Sequence, residues 1–432
     1  MSRFHLATAT LLASMPFAAT LAHAQSSDTT VLVDTAIPEN YDRDRNVSVL
    51  ERPRPDYDQL GIRRGGFLIL PQAETGLGAT SNVYLSSADK KSDGYAYLAP
   101  SILARSDWSQ DMVQLSGTGM LRRFFKQDRR NESSFNLRAL GRKDIGDSFS
   151  LTGEAHYAKI FESFDSGAID STLAVLSSYN RSYFSGRAQY RSGQSRAILA
   201  IDRTAFTFAD INLSTGDVSQ ADRDRVITRG TGEYQHALSP SISLYGQAGY
   251  GETKYSRTLF DGTQNRDSVG WRAIGGVNFD LAGFMRGKVG VGYIDRNYKS
   301  PVFRDTHGLS AEAVVEYFPS VLTTFGLTLS RTIEDSSVGN IGAFFQNRVQ
   351  MRVDHELLNN LIVGSSAEYG RQKYVDDSTV NNYYRIAANA RYLSSRFVSL
   401  NGQVTYNKRD SSTDFGGKLD DLRAQIGIIF RR

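Results

Sequence analysis

Cysteine is absent from the 432 residues, which leaves no material for a disulfide scaffold or for thiolate chemistry. Long apolar runs of the kind membrane helices need are missing as well, and the mean hydropathy is −0.37. That excludes a helical membrane bundle. It leaves a barrel open, because a barrel wall shows lipid only half of its residues. There is no H-E-x-x-H zinc spacing and no G-x-S-x-G elbow, so no motif points to a metalloenzyme or a hydrolase. His156, His236, His307 and His355 stand far apart, and the trio Asp305, His307 and Ser310 is of a kind common in loops. No catalytic residue, metal or cofactor is expected. The arginines are spread over many segments rather than gathered in a nucleic-acid motif. No fixed period marks a propeller or solenoid.

What the sequence has is alternation. In the last segment Leu422, Ala424, Ile426, Ile428 and Phe430 fall on every second position, with Arg423, Gln425 and Gly427 between them. This pattern sets one face in an apolar medium and the other in a polar one. A terminal strand closing on an aromatic resembles the assembly signal of bacterial outer-membrane barrels, although Arg431 and Arg432 follow the Phe here. Counting back to Gly66, about eighteen such segments of roughly ten residues recur, the length a tilted strand needs to cross a bilayer. Val277 is expected to face lipid and Asn278 to point into water. The stretch Ile198–Phe208 alternates poorly, and its facing is open. Connections after even-numbered segments are short, as at Ile145-Gly146-Asp147 and Ser192-Gly193-Gln194. Those after odd-numbered segments are often long and polar, as from Phe161 to Ser177. Short periplasmic turns and longer outside loops are the asymmetry of outer-membrane barrels.

The N-terminus reads as a secretory signal, residues 1–24, with a basic head at Arg3 and His5, an apolar stretch from Leu6 to Leu21, and a small-x-small site at Ala22-His23-Ala24. Residues 25–65 are rich in Asp, Arg and Pro and have no apolar period. They read as a short disordered periplasmic arm, either a tether or a docking segment. Residues 66–432 form the barrel. Tyr and Phe gather near segment ends, as in Phe124-Phe125, Tyr183-Phe184, Tyr317-Phe318, Phe344-Phe345 and Tyr383-Tyr384. Aromatic girdles at the two interfaces use rings in this way, and that reading is favoured over β-propensity alone because the rings gather near the ends rather than the middles.

If the apolar residues face lipid, their neighbours line the pore. That face carries Arg122, Arg138, Arg187, Arg229, Arg272, Arg286, Lys288, Arg348, Arg352, Arg385, Arg391 and Arg423, together with Glu312, Glu316 and Glu368. Cross-strand pairing is the plain explanation of these charges. Cations outnumber acids on the whole face by roughly two to one, and that surplus should focus a positive potential in the lumen. The long connection from Phe161 to Ser177 is the candidate for a constriction.

At Arg54-Pro55-Asp56-Tyr57-Asp58-Gln59-Leu60-Gly61-Ile62-Arg63-Arg64-Gly65-Gly66-Phe67, and then at Pro71, Glu74, Gly76, Gly78 and Ser81-Asn82-Val83-Tyr84, the sequence resembles outer-membrane β-barrel porins found with exopolysaccharide and capsule gene clusters. The resemblance implies export of a polysaccharide chain beside a periplasmic polysaccharide export protein. The expectation is therefore an all-β, transmembrane antiparallel barrel of about eighteen strands in a Gram-negative outer membrane. Its surroundings would be outer-membrane lipids and lipopolysaccharide, and the barrel assembly machinery would insert it. Two functions stand, a conduit for an anionic exopolysaccharide and a general or anion-selective diffusion porin for small solutes. A structural or adhesive protein with a plugged lumen is a third.

Overall fold

The structure is a computed structural model that describes residues 47–432 apart from 88, 164, 166–176, 214–215, 282, 338–340, 376 and 414–416. The expected signal peptide, residues 1–24, and the first part of the expected arm lie outside the described residues. Nineteen strands join in one sheet. One is the three-residue stub Ile62–Arg64, and the other eighteen form the wall. The first nine are β1 (Phe67–Thr80), β2 (Asp93–Ser106), β3 (Met112–Phe124), β4 (Glu132–Ile145), β5 (Phe149–Phe161), β6 (Ser178–Ser192), β7 (Ser195–Phe208), β8 (Arg225–Ser239) and β9 (Ile242–Tyr255). The rest are β10 (Ser268–Leu281), β11 (Met285–Tyr298), β12 (Thr306–Ser320), β13 (Thr323–Asp335), β14 (Ala343–Leu358), β15 (Leu361–Tyr374), β16 (Val380–Leu393), β17 (Val398–Ser411) and β18 (Leu419–Arg431). Each pairs antiparallel with the next, and β18 returns to β1 in a register running from Gln72↔Arg431 to Thr80↔Arg423. Closure leaves no edge, so every strand's backbone is paired on both sides, as a hydrocarbon surround requires.

Strand facing follows the alternation. Val291 and Leu309, each 69% exposed, Leu199 at 68% and Ile426 at 65% stand on the outside, while Glu233, Lys288 and Glu312 on the other face are buried. Residues of β18 fall as the sequence implies: Leu422, Ala424, Ile426, Ile428 and Phe430 are all exposed. On β7 the neighbours decide what the sequence leaves open. Pairing with β8 sets Leu199 and Ile201 outward, and Ile198 is turned inward and buried beside Asp202 and Thr204.

The two rims differ as expected. Gly146 and Gly193 take φ of +61° and +53° in tight turns on one rim, a left-handed backbone that glycine adopts without penalty. Long connections such as 162–177, 209–224 and 256–267 lie on the other. The short-turn rim is the periplasmic one.

The described part of the arm runs along the inside of that rim. Gly61 leads into the stub that pairs with β1. Gln59 donates to the carbonyls of Pro71 and Arg432 at 2.7 Å each. Val49 is fully buried in a cluster with Ile362 and Leu393.

Candidate functional site: the inward polar face

Sheet pairing brings the polar side chains of the wall into layers. Of the twelve cations that the alternation places on this face, ten have a carboxylate within ion-pair distance. Across or along neighbouring strands Arg122 meets Glu132, Arg138 meets Glu154, Arg229 meets Asp202, Arg352 meets Asp354 and Arg423 meets Asp421. Arg286 sits between Glu316 and the arm's Glu51, at 2.6 and 3.0 Å. Arg272, Lys288, Arg348 and Arg385 belong to the two clusters below. Among the described residues Arg187 bonds only Gln189 and Arg391 forms no ion pair. Cross-strand pairing therefore absorbs most of the arginine surplus that the sequence suggests.

One cluster spans β8 to β12. Arg272 Nη2 approaches Glu312 Oε2 at 2.9 Å, and Arg272 Nε donates to Ser310 Oγ at 2.8 Å. Lys288 Nζ lies 3.3 Å from both Glu233 and Glu312. The Tyr245 hydroxyl donates to Glu312 at 3.0 Å, and Lys288 sits 4.1 Å from the centre of the Tyr245 ring. Glycine makes this layer possible. A Cβ on Gly290 would lie 1.9 Å from the Tyr245 hydroxyl oxygen, so only a bare backbone lets that ring lie along the wall. Asn278, expected in water, is fully buried in the same face against Ser243 and has Lys288 as its cross-strand partner. Facing inward and being wetted are different things where side chains of adjacent strands cover one another.

The second cluster spans β14 to β16 and holds a residue that comes from elsewhere. Arg348 Nε and Arg385 Nη1 each lie 3.2 Å from Glu368. Their other nitrogens reach Asp165, Arg348 Nη2 at 3.1 Å and Arg385 Nη2 at 3.6 Å. Gln372 donates to the Asp165 carbonyl at 2.8 Å. The Tyr383 hydroxyl takes a hydrogen bond from Arg348 Nε at 3.0 Å. Its ring lies where a Cβ on Gly370 would come within 1.8 Å of it. Burial works against ionisation of Asp165, but Arg385 and Arg348, with the Ser163 hydroxyl, outweigh it and hold the carboxyl below its usual range.

Asp165 belongs to the connection after β5, the expected constriction candidate. In ring order seven strands separate β6 from β14, and six separate β16 from β5 the other way round. The link therefore runs between opposite walls. Nothing periodic marks Asp165 in the sequence, and no pattern pairs it with Arg348, 183 residues on.

The aromatic doublets need a correction. Period-two alternation sends adjacent residues to opposite faces, so only one ring of each doublet can serve a girdle. Phe125, Phe184, Tyr317 and Tyr384 are exposed, whereas Phe124, Phe318, Phe344 and Tyr383 are buried on the other side. The same rule splits the histidine trio: His307 stacks on Tyr293, and Ser310 faces inward onto Arg272. Asp335 ends β13 and is paired with Arg296 and bonded by Tyr255 and Tyr298.

A closed eighteen-strand antiparallel barrel, apolar outside and charged inside, with short turns at one rim and long connections at the other, is a porin-class barrel of the Gram-negative outer membrane. The chain belongs to the family described as "Putative beta-barrel porin 2", which matches residues 54–432. Among solved structures it is similar to the outer membrane protein OpdK of Pseudomonas aeruginosa, at 11% identity and a TM-score of 0.46 over 84% of this chain and 99% of that one. It is also similar to OccAB4 of Acinetobacter baumannii, at 10% identity and 0.44 over 88% and 100%. A third is the siderophore receptor PirA of the same organism, at 8% and 0.42 over 84% and 80%. No curated protein matches the chain.

Proposed function

We propose that this porin is a diffusion pathway for small solutes and favours those that carry a carboxylate. The observation behind the reading is the Asp165 link, at 3.1 and 3.6 Å from Arg348 and Arg385 on the facing wall. A link between opposite walls divides the bore, which suits small molecules and obstructs a continuous polysaccharide. The export reading has no comparable support. The chemistry of the link also supplies the preference. Two guanidinium groups that Glu368 holds on the wall both reach out to the Asp165 carboxylate, and guanidinium forks suit carboxylate oxygens in their plane. A passing carboxylate offers the same partner, and the aqueous screening length of about 8 Å keeps such contacts weak enough for release.

The test is swelling of proteoliposomes in three osmolytes of similar size, a monocarboxylate, a neutral sugar and an amine, with bilayer reversal potentials in parallel. The carboxylate should enter fastest, and R348Q/R385Q should remove its advantage while sugar entry persists. Equal rates for all three solutes, or passage of a neutral oligosaccharide as fast as its monosaccharide, would reject the reading.

A further inference from the structure

Residues 47–61 have an unusual place. They enter at the β1–β18 seam and follow the inside of the periplasmic rim as far as β11. Arg396, in the turn after β16, donates to the Pro55 carbonyl at 3.0 Å. Arg52 and Arg54 pair with Glu356 near the end of β14, at 3.0 and 2.8 Å. The Val49 amide donates to Thr324 at the start of β13 at 3.0 Å, and Glu51 reaches Arg286 at the start of β11. Glu356, Thr324 and Arg286 are buried on the inward face, each within three residues of a strand end on the short-turn rim.

The manner of attachment is as informative as the path. The segment has no strand pairing with the wall before Ile62. Its backbone hydrogen bonds are local turns, as from Glu51 and Arg52 to the Ser48 carbonyl and from Tyr57 and Asp58 to the Arg54 carbonyl. What fastens it is a buried apolar anchor, Val49, with Leu50 and Tyr57 packed against the same cluster, ion pairs at two separate points, and hydrogen bonds at Val49, Pro55 and Gln59. A wall strand is locked by a ladder on both sides. This segment has no such ladder: every contact it makes with the wall involves a side chain on one side or the other, as where the Val49 amide meets Thr324 and the Pro55 carbonyl meets Arg396, and it has a fixed hinge where it joins the stub.

We propose that residues 47–61 are a strap that closes down the periplasmic mouth and leaves it as a unit when its anchors let go. Seated, it occupies the inner rim from β16 to β11 and sets a low conductance. Released, it swings on the hinge at Gly61, whose φ of +70° fits a chain reversal there, and the mouth widens. The strap acts on any solute, so it stands apart from the carboxylate preference. Because two of its anchor points are ion pairs, raising salt from about 0.1 to about 1 M, which shortens screening from about 10 to about 3 Å, should favour the released state.

Single-channel recording tests this on the full chain, which has no cysteine of its own. V49C/L393C should form a disulfide that locks the strap. Oxidised, the pore should lose its high-conductance level at every salt concentration, and reductant should restore it. E356Q, which removes the partner of Arg52 and Arg54, should raise the share of time spent in the high level. The idea fails if the cysteine pair does not oxidise, since Val49 is then not seated. It fails equally if oxidised and reduced pores conduct alike, or if deletion of 47–58 gives an assembled barrel of unchanged conductance.

Discussion

Placing a charge on the outer face offers the sharpest check of how the barrel sits in lipid. On β11 and β12 the outward residues run in register from Tyr293 beside Leu309, through Val289 beside Ala313, to Met285 beside Tyr317. Trp271 lies 5.8 Å from Tyr293 and marks the upper girdle, while Tyr317 packs 6.2 Å from Phe325 at the lower one. Eight residues separate the two levels. At about 3.4 Å per residue along the strand and a tilt of about 40°, they stand roughly 20 Å apart, close to an apolar band of about 25 Å. Val289 is midway. Val289→Arg should therefore cost about 2–4 kcal/mol, and Leu309→Arg, level with the upper girdle, about 0–1 kcal/mol. The difference of about 2 kcal/mol is more than tenfold in the folding equilibrium. Urea titration of the barrel in lipid vesicles, read by heat-modifiable gel migration, measures both. Equal costs at the two positions would refute the girdle levels, and a harmless arginine at Val289 would refute a lipid-facing wall there.

Two further outcomes are expected. Removing Ile426–Arg432 deletes six of the nine pairs that close β18 on β1, so the truncated chain should not yield a heat-modifiable, membrane-inserted form, and a stable inserted truncation would show that closure lies elsewhere. Because the Asp165 carboxyl is held below its usual range, its bridge is fully made above the unfolded value of about 3.9 and is lost only as pH falls through the lower folded value. Conductance and selectivity should then be level from about pH 8 down to about pH 4 and change only in stronger acid, and a change centred near neutrality would exclude Asp165 as the group responsible.

The wall was legible along the chain alone. Side-chain facing in a strand is local, with a period of two residues, so Leu422 to Phe430 announce their own outward face without reference to any other part of the chain. Repeated along the chain, that pattern carries the strand count and, with the lengths of the connections, tells which rim is periplasmic. The same local rule also says that Tyr383 and Tyr384 must part company. What fills the interior was set by contacts between strands and across the ring. Ile198 turned inward because β8 fixed the register of β7, and Asn278 was buried because its neighbours on adjacent strands lay over it. Arg272, Arg348 and Arg385 were legible as inward cations, but their neutralisation by Glu312, Glu368 and Asp165 was not. Ring closure sets the connection after β5 against β14 to β16, and that distance has no counterpart along the sequence. The arm shows the same division: its charges mark it as polar chain, while the rim supplies the pocket for Val49 and the partners for Glu51, Arg52 and Arg54. A periodic pattern encodes a surface, and contacts across a closed ring exist only once the ring has formed.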